Sequence, residues 1–559
     1  MKIEKNGSNT LIQTMINQGI EYIFGIPGAK IDQLFNDLKN YPDANKPKLI
    51  VARHEQNAAF MASGIGRLTG KPGVVLVTSV PGVSNLATGL ITATSEGDPV
   101  IALGGQVPRN DISRLTHQSI PSRELLSEAT KSSYEVEMAD NISEVFISAY
   151  ITATSPKAGA SFISIPQDVL AAPVEKEAIK RFDLPDENAE ATTASLNKVI
   201  EKIKNAKFPV ILAGMRSSEQ RVTDALHHLL SRFSIPVVET FQAAGILSHQ
   251  YEHHYFGRVG LFRNQMGDTV LKQSDLVITI GYDPVEYEAR NWNASGQREI
   301  INIDTVDPEI TNEYQPSLII KTDLANTINK LARLLPQGLK IKETSNQIIQ
   351  KLRYQFDYEE PDFKFKNPDL LNPLQIIEAL QEFADDSNIV TVDVGSHYIW
   401  MARYFRSYQP RQLLFSNGMQ TLGVALPWAI SAAILNPDKK IISVSGDGGF
   451  LFSAQELETA VRLQSNIIHL IWEDNAYDMV KFQEEIKYNQ SSGVEFGPVD
   501  YVKYAQAFGA EGMRVNSQQE LSEALRAADK IQGPVIIVIP VDYSANTQLK
   551  TSLIENTTN

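Results

Sequence analysis

An apolar run, Lys440-Ile441-Ile442-Ser443-Val444-Ser445, leads into Gly446-Asp447-Gly448-Gly449. Glycines at the end of a buried strand let backbone N–H groups approach a phosphate closely, and a helix start adds favourable positive potential. The sequence predicts that this helix opens at Ser453, with Glu456 three residues on completing a capping box. Asp447 brings the opposite charge. A carboxylate beside a phosphate cradle is repulsive unless a cation lies between them, so Asp447 argues for a divalent metal, and Mg2+ suits. Taken alone, the glycine-rich run is equally readable as a tight turn. The next apolar strand, NIIHLIWE, ends in Asp474-Asn475-Ala476-Tyr477. Neighbouring parallel strands bring their carboxyl ends side by side, so Asp447 and Asp474 can reach one ion. A backbone carbonyl just beyond would complete the protein's share. A further acid, Glu55, follows the strand LIVAR in Arg53-His54-Glu55. Its plain reading is a Glu favoured at a helix N-terminus.

These residues need strands and helices to hold them, and the chain supplies three sets. Short β-branched runs ending in Gly or a polar turn, each followed by helical periodicity, recur at 49–53, 73–79, 99–105 and 160–166. A second set occupies 208–214, 234–240, 274–281, 299–305 and 317–323, and a third 388–395, 440–449, 466–475 and 533–542. This rhythm predicts α/β architecture, with three doubly wound parallel-sheet domains. The expected divisions are a first domain over 1–174, an acidic linker over 175–191 and a central domain over 192–339. A charged linker over 340–369, a third domain over 370–543 and a mobile polar tail over 544–559 complete them.

Composition narrows the partners. Lys and Arg total 51 against 66 Asp and Glu, a net charge of −15, so bulk charge recruits neither nucleic acid nor an anionic membrane. Cysteine is absent, which excludes disulfide scaffolds, thiolate metal sites and Cys nucleophiles. The opening residues MKIEKNGSNT are polar with no apolar segment behind them, and runs such as Val535 to Ile539 are far too short to span a bilayer. The expectation is a cytoplasmic chain with a small-molecule substrate. The His253-His254 pair has no HExxH pattern or third ligand and reads as a surface loop.

The pairing of Gly446-Asp447-Gly448 with an acid-or-amide tip at the end of the following strand resembles the signature of thiamine diphosphate enzymes. The family more often has Asn where this chain has Asp474, which is still an oxygen ligand. The resemblance implies Mg2+ held by the side chains of Asp447 and Asp474 and the backbone oxygen of Ala476. Gly446, Gly448, Gly449 and Tyr477 would then lie beside the diphosphate. The resemblance extends to Arg53-His54-Glu55 and its small-residue helix, to Thr78-Ser79-Val80-Pro81-Gly82-Val83-Ser84-Asn85, and to Phe24-Gly25-Ile26-Pro27-Gly28. It gives Glu55 the task of hydrogen-bonding the pyrimidine N1′, favouring the imino tautomer whose N4′ removes the C2 proton. The segment 416–433 resembles the family's support for a bent cofactor, with Leu422 beneath it and a backbone carbonyl of Gln420 toward the aminopyrimidine. Gly395, Ser396 and His397 match the loop across the diphosphate, His397 as a phosphate donor rather than a base. Family members build each site from two subunits, which implies a homo-oligomer, dimer or dimer of dimers, with cofactor at the interface.

Within the family the chain is most similar to the catabolic, FAD-independent acetolactate synthases. The flavin-containing ones carry Arg-Phe-Asp-Asp-Arg after the strand that corresponds to 274–281. Here Tyr282-Asp283-Pro284-Val285-Glu286-Tyr287-Glu288 offers three acids and no base, which would repel a flavin diphosphate, so no FAD is expected. Gln118, Lys131, Met479 and Gln483 match positions that face substrate; Met479 and Gln483, four apart, share a helix face. Gln483 stands where flavin-containing synthases have a Trp that favours 2-ketobutyrate, so pyruvate is the expected donor and acceptor. The implied reaction joins two pyruvates into 2-acetolactate and CO2 through a hydroxyethyl-thiamine diphosphate carbanion, feeding acetoin formation. The alternatives are a FAD-containing acetohydroxyacid synthase or pyruvate oxidase, opposed by the acidic segment, and a catalytically silent regulatory homologue. Such a homologue would be free to lose Glu55 or Asp447, and both are present.

Overall fold

Three six-stranded sheets, every pairing parallel, organise the chain in a computed structural model that describes residues 5–114, 116–182, 189–262, 265–336, 339, 343–358 and 363–549. The first sheet holds β1 (Tyr22–Gly25), β2 (Lys48–Val51), β3 (Gly73–Val77), β4 (Val100–Gln106), β5 (Ser132–Glu135) and β6 (Ala160–Pro166) in the order β2-β1-β3-β4-β6-β5. The second holds β7 (Pro209–Ala213), β8 (Val237–Thr240), β9 (Tyr255–Val259), β10 (Leu276–Ile280), β11 (Glu299–Asp304) and β12 (Leu318–Lys321), ordered β12-β11-β10-β7-β8-β9. The third holds β13 (Val390–Val392), β14 (Leu413–Phe415), β15 (Ile441–Gly446), β16 (Ile467–Glu473), β17 (Glu511–Arg514) and β18 (Val535–Pro540), ordered β14-β13-β15-β16-β18-β17. Central strands such as β3, β16 and β18 are buried on both faces; β3 and β18 read as near-continuous Val/Ile/Leu runs for that reason, and β16 interrupts its run with the buried His469.

In the third sheet the winding reverses between β13 and β15, the crevice where open α/β sheets take ligands. The Gly395-Ser396-His397 loop follows β13, and Gly446-Asp447 ends β15. The first and third sheets are locked together by two helices, Glu55–Thr69 and Ala425–Leu435. Trp428 Nε1 donates to Ser63 Oγ at 3.0 Å, and Ser431 Oγ donates to the carbonyl of Met61 at 2.7 Å. Arg67, with its guanidinium 4.4 Å from the Trp428 ring centre, donates to Glu96 and Asp98 and to the carbonyl of Phe415. Removing one partner from such a buried ionic group typically costs about 3–5 kcal/mol.

Several segments depart from expectation. Residues 343–358, read as linker, form a helix whose Ile348, Ile349, Leu352 and Phe356 pack on the second sheet. Their spacing lays an apolar stripe along a charged sequence. Within 175–191, Lys176 and Ile179 bond to the first domain, while Ala189 and Ala191 bond to Asp323 and Thr327 of the second; 183–188 lie outside the described residues. The expected mobile tail instead begins with a 3-10 turn, Ser544–Leu549, whose Ala545, Asn546 and Leu549 are buried; 550–559 lie outside the described residues. His254 is no surface residue: it is buried, with Nδ1 3.1 Å from the carbonyl of Ile235 and its pKa lowered to about 4 by burial. Among the described residues, no helix is long and apolar enough to cross a membrane.

Candidate active site

The glycine-rich run folds without the expected capping box. A short helix opens directly at Asp447 and runs to Leu451, and Ser453 makes no cap hydrogen bond. Glu456 reaches instead to the first domain. Its carboxylate accepts from the backbone N–H of Arg53 (3.0 Å) and of His54 (3.0 Å), from Asn57 Nδ2 (3.2 Å) and from Thr459 Oγ1 (2.7 Å). A buried carboxylate takes its strongest available donors, and the unpaired N–H groups of the turn before Glu55 supply them.

Asp447 is 1% exposed. Its Oδ1 accepts from the N–H of Gly448 (2.8 Å), and its Oδ2 from those of Asp474 (3.1 Å) and Asn475 (2.6 Å). The tips of β15 and β16 are thereby joined. Burial pushes the Asp447 carboxyl up to about 6, against the pull of those N–H groups. Asp474 is pushed higher, to about 8, by burial and then by the negative neighbours Asp478 and Asp447. Asp478 rises to about 6, again through burial. Of these three carboxyls Asp474, raised furthest, keeps its proton at neutral pH unless a cation compensates the charge around it.

These acids line a cavity of about 230 Å³ at the carboxyl end of the third sheet. It brings together Gly395, Ser396, His397, Gln420, Leu422, Gly446, Asp447, Gly448, Gly449, Asp474, Ala476, Tyr477 and Met479. It also takes in Val394, Asp478, Val480 and Tyr543, which the sequence reading missed. A Cβ on Gly448 would fall 2.8 Å from the Tyr477 ring, and one on Gly449 2.9 Å from Asp393 Oδ1, so side chains here would jam the strand tips. His397 Nε2 is buried in the wall without a hydrogen-bond partner. Burial lowers the His397 pKa to about 3, against the pull of a hydrogen bond to the Asp393 backbone, so the ring is neutral. An orphan ring nitrogen, paired acids and a side-chain-free cradle fit a diphosphate carried with a divalent cation.

Another wall is the loop 416–422, and its position is set from elsewhere. Glu96, at the end of the helix Val80–Glu96, accepts from Ser416 Oγ (2.8 Å) and from the N–H groups of Gly418 (3.1 Å) and Met419 (3.3 Å). Thr92 of the same helix meets Thr421, hydroxyl to hydroxyl, at 2.8 Å. From below, Asp393 accepts from the N–H groups of Gly423 (2.9 Å) and Ala425 (3.1 Å). Gln420 sits in the left-handed region, with φ 52°, and Leu422 rests against the third-sheet core.

Glu55 opens the helix Glu55–Thr69, behind His54 whose Nδ1 accepts from the N–H of Gln56. Its Oε2 accepts from Asn85 Nδ2 at 2.9 Å. Gln118, also left-handed at φ 61°, accepts from Ser79 Oγ at 2.9 Å, beside the start of the helix that carries Asn85. Glu55 and Gln118 therefore face one end of the first sheet and are not in the cavity wall. Lys131 is engaged elsewhere: its ammonium donates to the carbonyls of Thr152 (2.5 Å) and Ser155 (2.8 Å), tying off the helix Ile142–Thr154. Gln483 folds back on its own helix and donates to the carbonyl of Met479 at 2.8 Å. The acids of the 282–288 segment are not free to repel a ligand. Asp283 pairs with Arg216 and Lys157, and Glu286 accepts from the N–H groups of Met215 and Gln242.

Three parallel-sheet units in series, with paired acids at the strand tips of the last, define a thiamine pyrophosphate enzyme by class. Family models agree: the N-terminal TPP binding domain matches residues 5–126, the central domain 196–331 and the C-terminal TPP binding domain 393–539. Acetolactate synthase of Bacillus subtilis is 49% identical over 550 residues, covering 98% of this chain and 95% of that protein. The catabolic acetolactate synthase of Raoultella terrigena is 43% identical over 544 residues, covering 97% and 96%. The large subunit of Escherichia coli acetolactate synthase isozyme 1 is 28% identical over 544 residues. The chain belongs to the acetolactate synthase family of thiamine pyrophosphate enzymes.

Proposed function

We propose that this enzyme joins two molecules of pyruvate into 2-acetolactate with release of CO2, as a catabolic acetolactate synthase of the cytoplasm that leads to acetoin. The observation that carries the reading is the meeting of Asp447, Asp474 and the orphan His397 Nε2 in one cavity, within a chain whose relatives of 49% and 43% identity are acetolactate synthases. Asp447, Asp474 and the carbonyl of Ala476 would hold Mg2+, while His397, Ser396 and the backbone of 446–449 would hold the diphosphate. Thiamine diphosphate, when bound, supplies a thiazolium that accepts the electron pair freed by decarboxylation of a 2-keto acid and returns it to a second carbonyl carbon. Glu55 would hold a proton at the pyrimidine N1′, with Asn85 fixing its carboxylate. Leu422 would support the cofactor from below and Gln420 would accept from the aminopyrimidine. Gln118, Met479 and Gln483 would line the acceptor's place.

Two further parts of the reading rest on packing. The cavity is smaller than the roughly 300–1,000 Å³ usual for cofactor pockets, and every lining residue belongs to the third domain. Around its mouth Met419, Leu451, Phe452, Tyr477 and Val480 are exposed. An apolar rim around a half-site fits closure by a second copy that brings Glu55, in a dimer or dimer of dimers. No FAD is expected, since Arg216, just beyond β7, is already paired with Asp304 and Asp283 and offers no free charge to a flavin diphosphate. The domain divisions proposed are those of the three sheets, with the helix 343–358 added to the central one.

The test is product analysis of the purified chain with pyruvate, Mg2+ and thiamine diphosphate, without FAD. Acetolactate is the expected product. Acetaldehyde, acetyl phosphate or a strict need for FAD would refute the assignment.

A further inference from the structure

Asn546, in the turn Ser544–Leu549, is 1% exposed although its neighbours Gln548 and Thr547 are open to solvent. Its amide is fully used. Nδ2 donates to Asp478 Oδ2 at 2.6 Å and to Ser396 Oγ at 3.0 Å, and Oδ1 accepts from Trp400 Nε1 at 2.8 Å. The orientation has no alternative: an indole nitrogen can only donate, so the amide oxygen must face Trp400 and its NH2 the carboxylate. Ser396 Oγ donates to the same Asp478 oxygen, closing a three-membered network.

Ser396 and Asp478 both line the cavity, yet they open different helices, Ser396–Tyr404 after β13 and Asp478–Tyr488 after β16. These two helix starts are joined across β15 by the Ser396–Asp478 hydrogen bond, and Asn546, from a segment far away in sequence, bonds to both of its partners and so holds that bridge in place. Tyr543, three residues earlier, lines the same cavity and stacks on Trp472 of β16. We infer that Asn546 is a positioning residue of the cofactor site, which fixes the separation of the Ser396 and Asp478 walls and so the width of the diphosphate end. A neutral amide suits this place. It supplies two donors to a cavity that already holds three carboxyls, without adding a charge of either sign. The inference rests on the thiamine diphosphate reading of the cavity.

The experiment titrates thiamine diphosphate with Mg2+ into the purified full-length chain by calorimetry, and records thermal midpoints without cofactor. Four variants are compared with the wild type: Asn546→Ala, Asn546→Asp, Asp478→Asn and the exchange Asn546→Asp/Asp478→Asn. Loss of a hydrogen bond to a charged group weakens binding roughly tenfold or more, so Asn546→Ala is expected to bind about tenfold less tightly. Asn546→Asp sets two carboxylates against each other and should bind more weakly still. In the exchange variant the donor and acceptor swap ends, while Trp400 still finds an oxygen, so affinity should return to within about threefold of Asp478→Asn. Binding by Asn546→Ala equal to wild type, or an exchange variant no better than Asn546→Asp, overturns the inference. If Asn546→Ala is too unstable to titrate, the exchange comparison decides alone. A wild-type chain that takes up no thiamine diphosphate would refute the underlying reading, whereas uptake with indifference to Asn546 would refute this inference only.

Discussion

Replacing Glu456 by alanine removes the acceptor shared by Arg53 N–H, His54 N–H, Asn57 Nδ2 and Thr459 Oγ1. The threonine hydroxyl can rotate to a new partner. The two backbone N–H groups and the amide cannot, because Glu456 is 0% exposed and a methyl group admits little water behind it. Each buried donor left unpaired costs about 1–3 kcal/mol, and since the Arg53 and His54 turn is only partly buried the lower end applies, giving about 2–4 kcal/mol in all. That is about 3–5 °C in the thermal midpoint of the first and third domains together. Glu456→Gln keeps one oxygen for the turn and should lie between. Activity should fall further than stability, because the released turn carries Glu55 and a misplacement of about 1 Å can cost about a hundredfold in rate. Differential scanning calorimetry and acetolactate formation at saturating cofactor measure the two effects. A Glu456→Ala enzyme that melts within about 1 °C of wild type and keeps its turnover would refute the reasoning, since the carboxylate would then not be what holds the turn.

Glu55→Gln should leave thiamine diphosphate binding within about threefold but lower turnover by at least about a hundredfold, read by calorimetry beside a product assay; retained turnover would remove its assigned role. In the metal-free protein Asp474 and Asp447, raised to about 8 and about 6, keep protons that an unfolded chain has released. Their contribution to stability is present below about 4 and is lost as pH rises through 6 and then 8, so the midpoint in EDTA should fall over that span. Mg2+ with thiamine diphosphate should abolish the fall, and equal pH slopes in both conditions would count against the metal assignment. Gln483→Trp should shift product composition from acetolactate toward the 2-ketobutyrate adduct when both keto acids compete, and an unchanged ratio would exclude Gln483 from acceptor selection.

Central strands were legible because burial on both faces makes them mostly apolar; 441–446 and 467–473 stand out for that reason although each carries a few buried polar residues. The strands that escaped notice are mostly edges. Ser132–Glu135 and Glu511–Arg514 are half exposed and polar, so they lack both the run and the alternation that mark a strand. The residues of the cavity wall were readable where chemistry demands a type at a spacing, as with Asp447 and Asp474. Asp393, Glu96, Glu456 and Asn546 were not, because each acts across a long sequence separation and carries no local pattern. Even Glu456, at the right spacing from Ser453 for a cap, was claimed by stronger donors in another domain, and the Ser453 hydroxyl is buried without a partner.

The helix Val80–Glu96 has Asn85 against Glu55 near its start and Glu96 clasping the 416–419 loop at its end. Its 17 residues span about 26 Å of uninterrupted backbone hydrogen bonding. If Glu55 serves a neighbour's cofactor while the clasped loop serves its own, every copy of this helix is a strut with one foot in each of two reaction chambers. Loading the first chamber then biases the second without any change at the surface between subunits, and the occupancy of the two need not be independent.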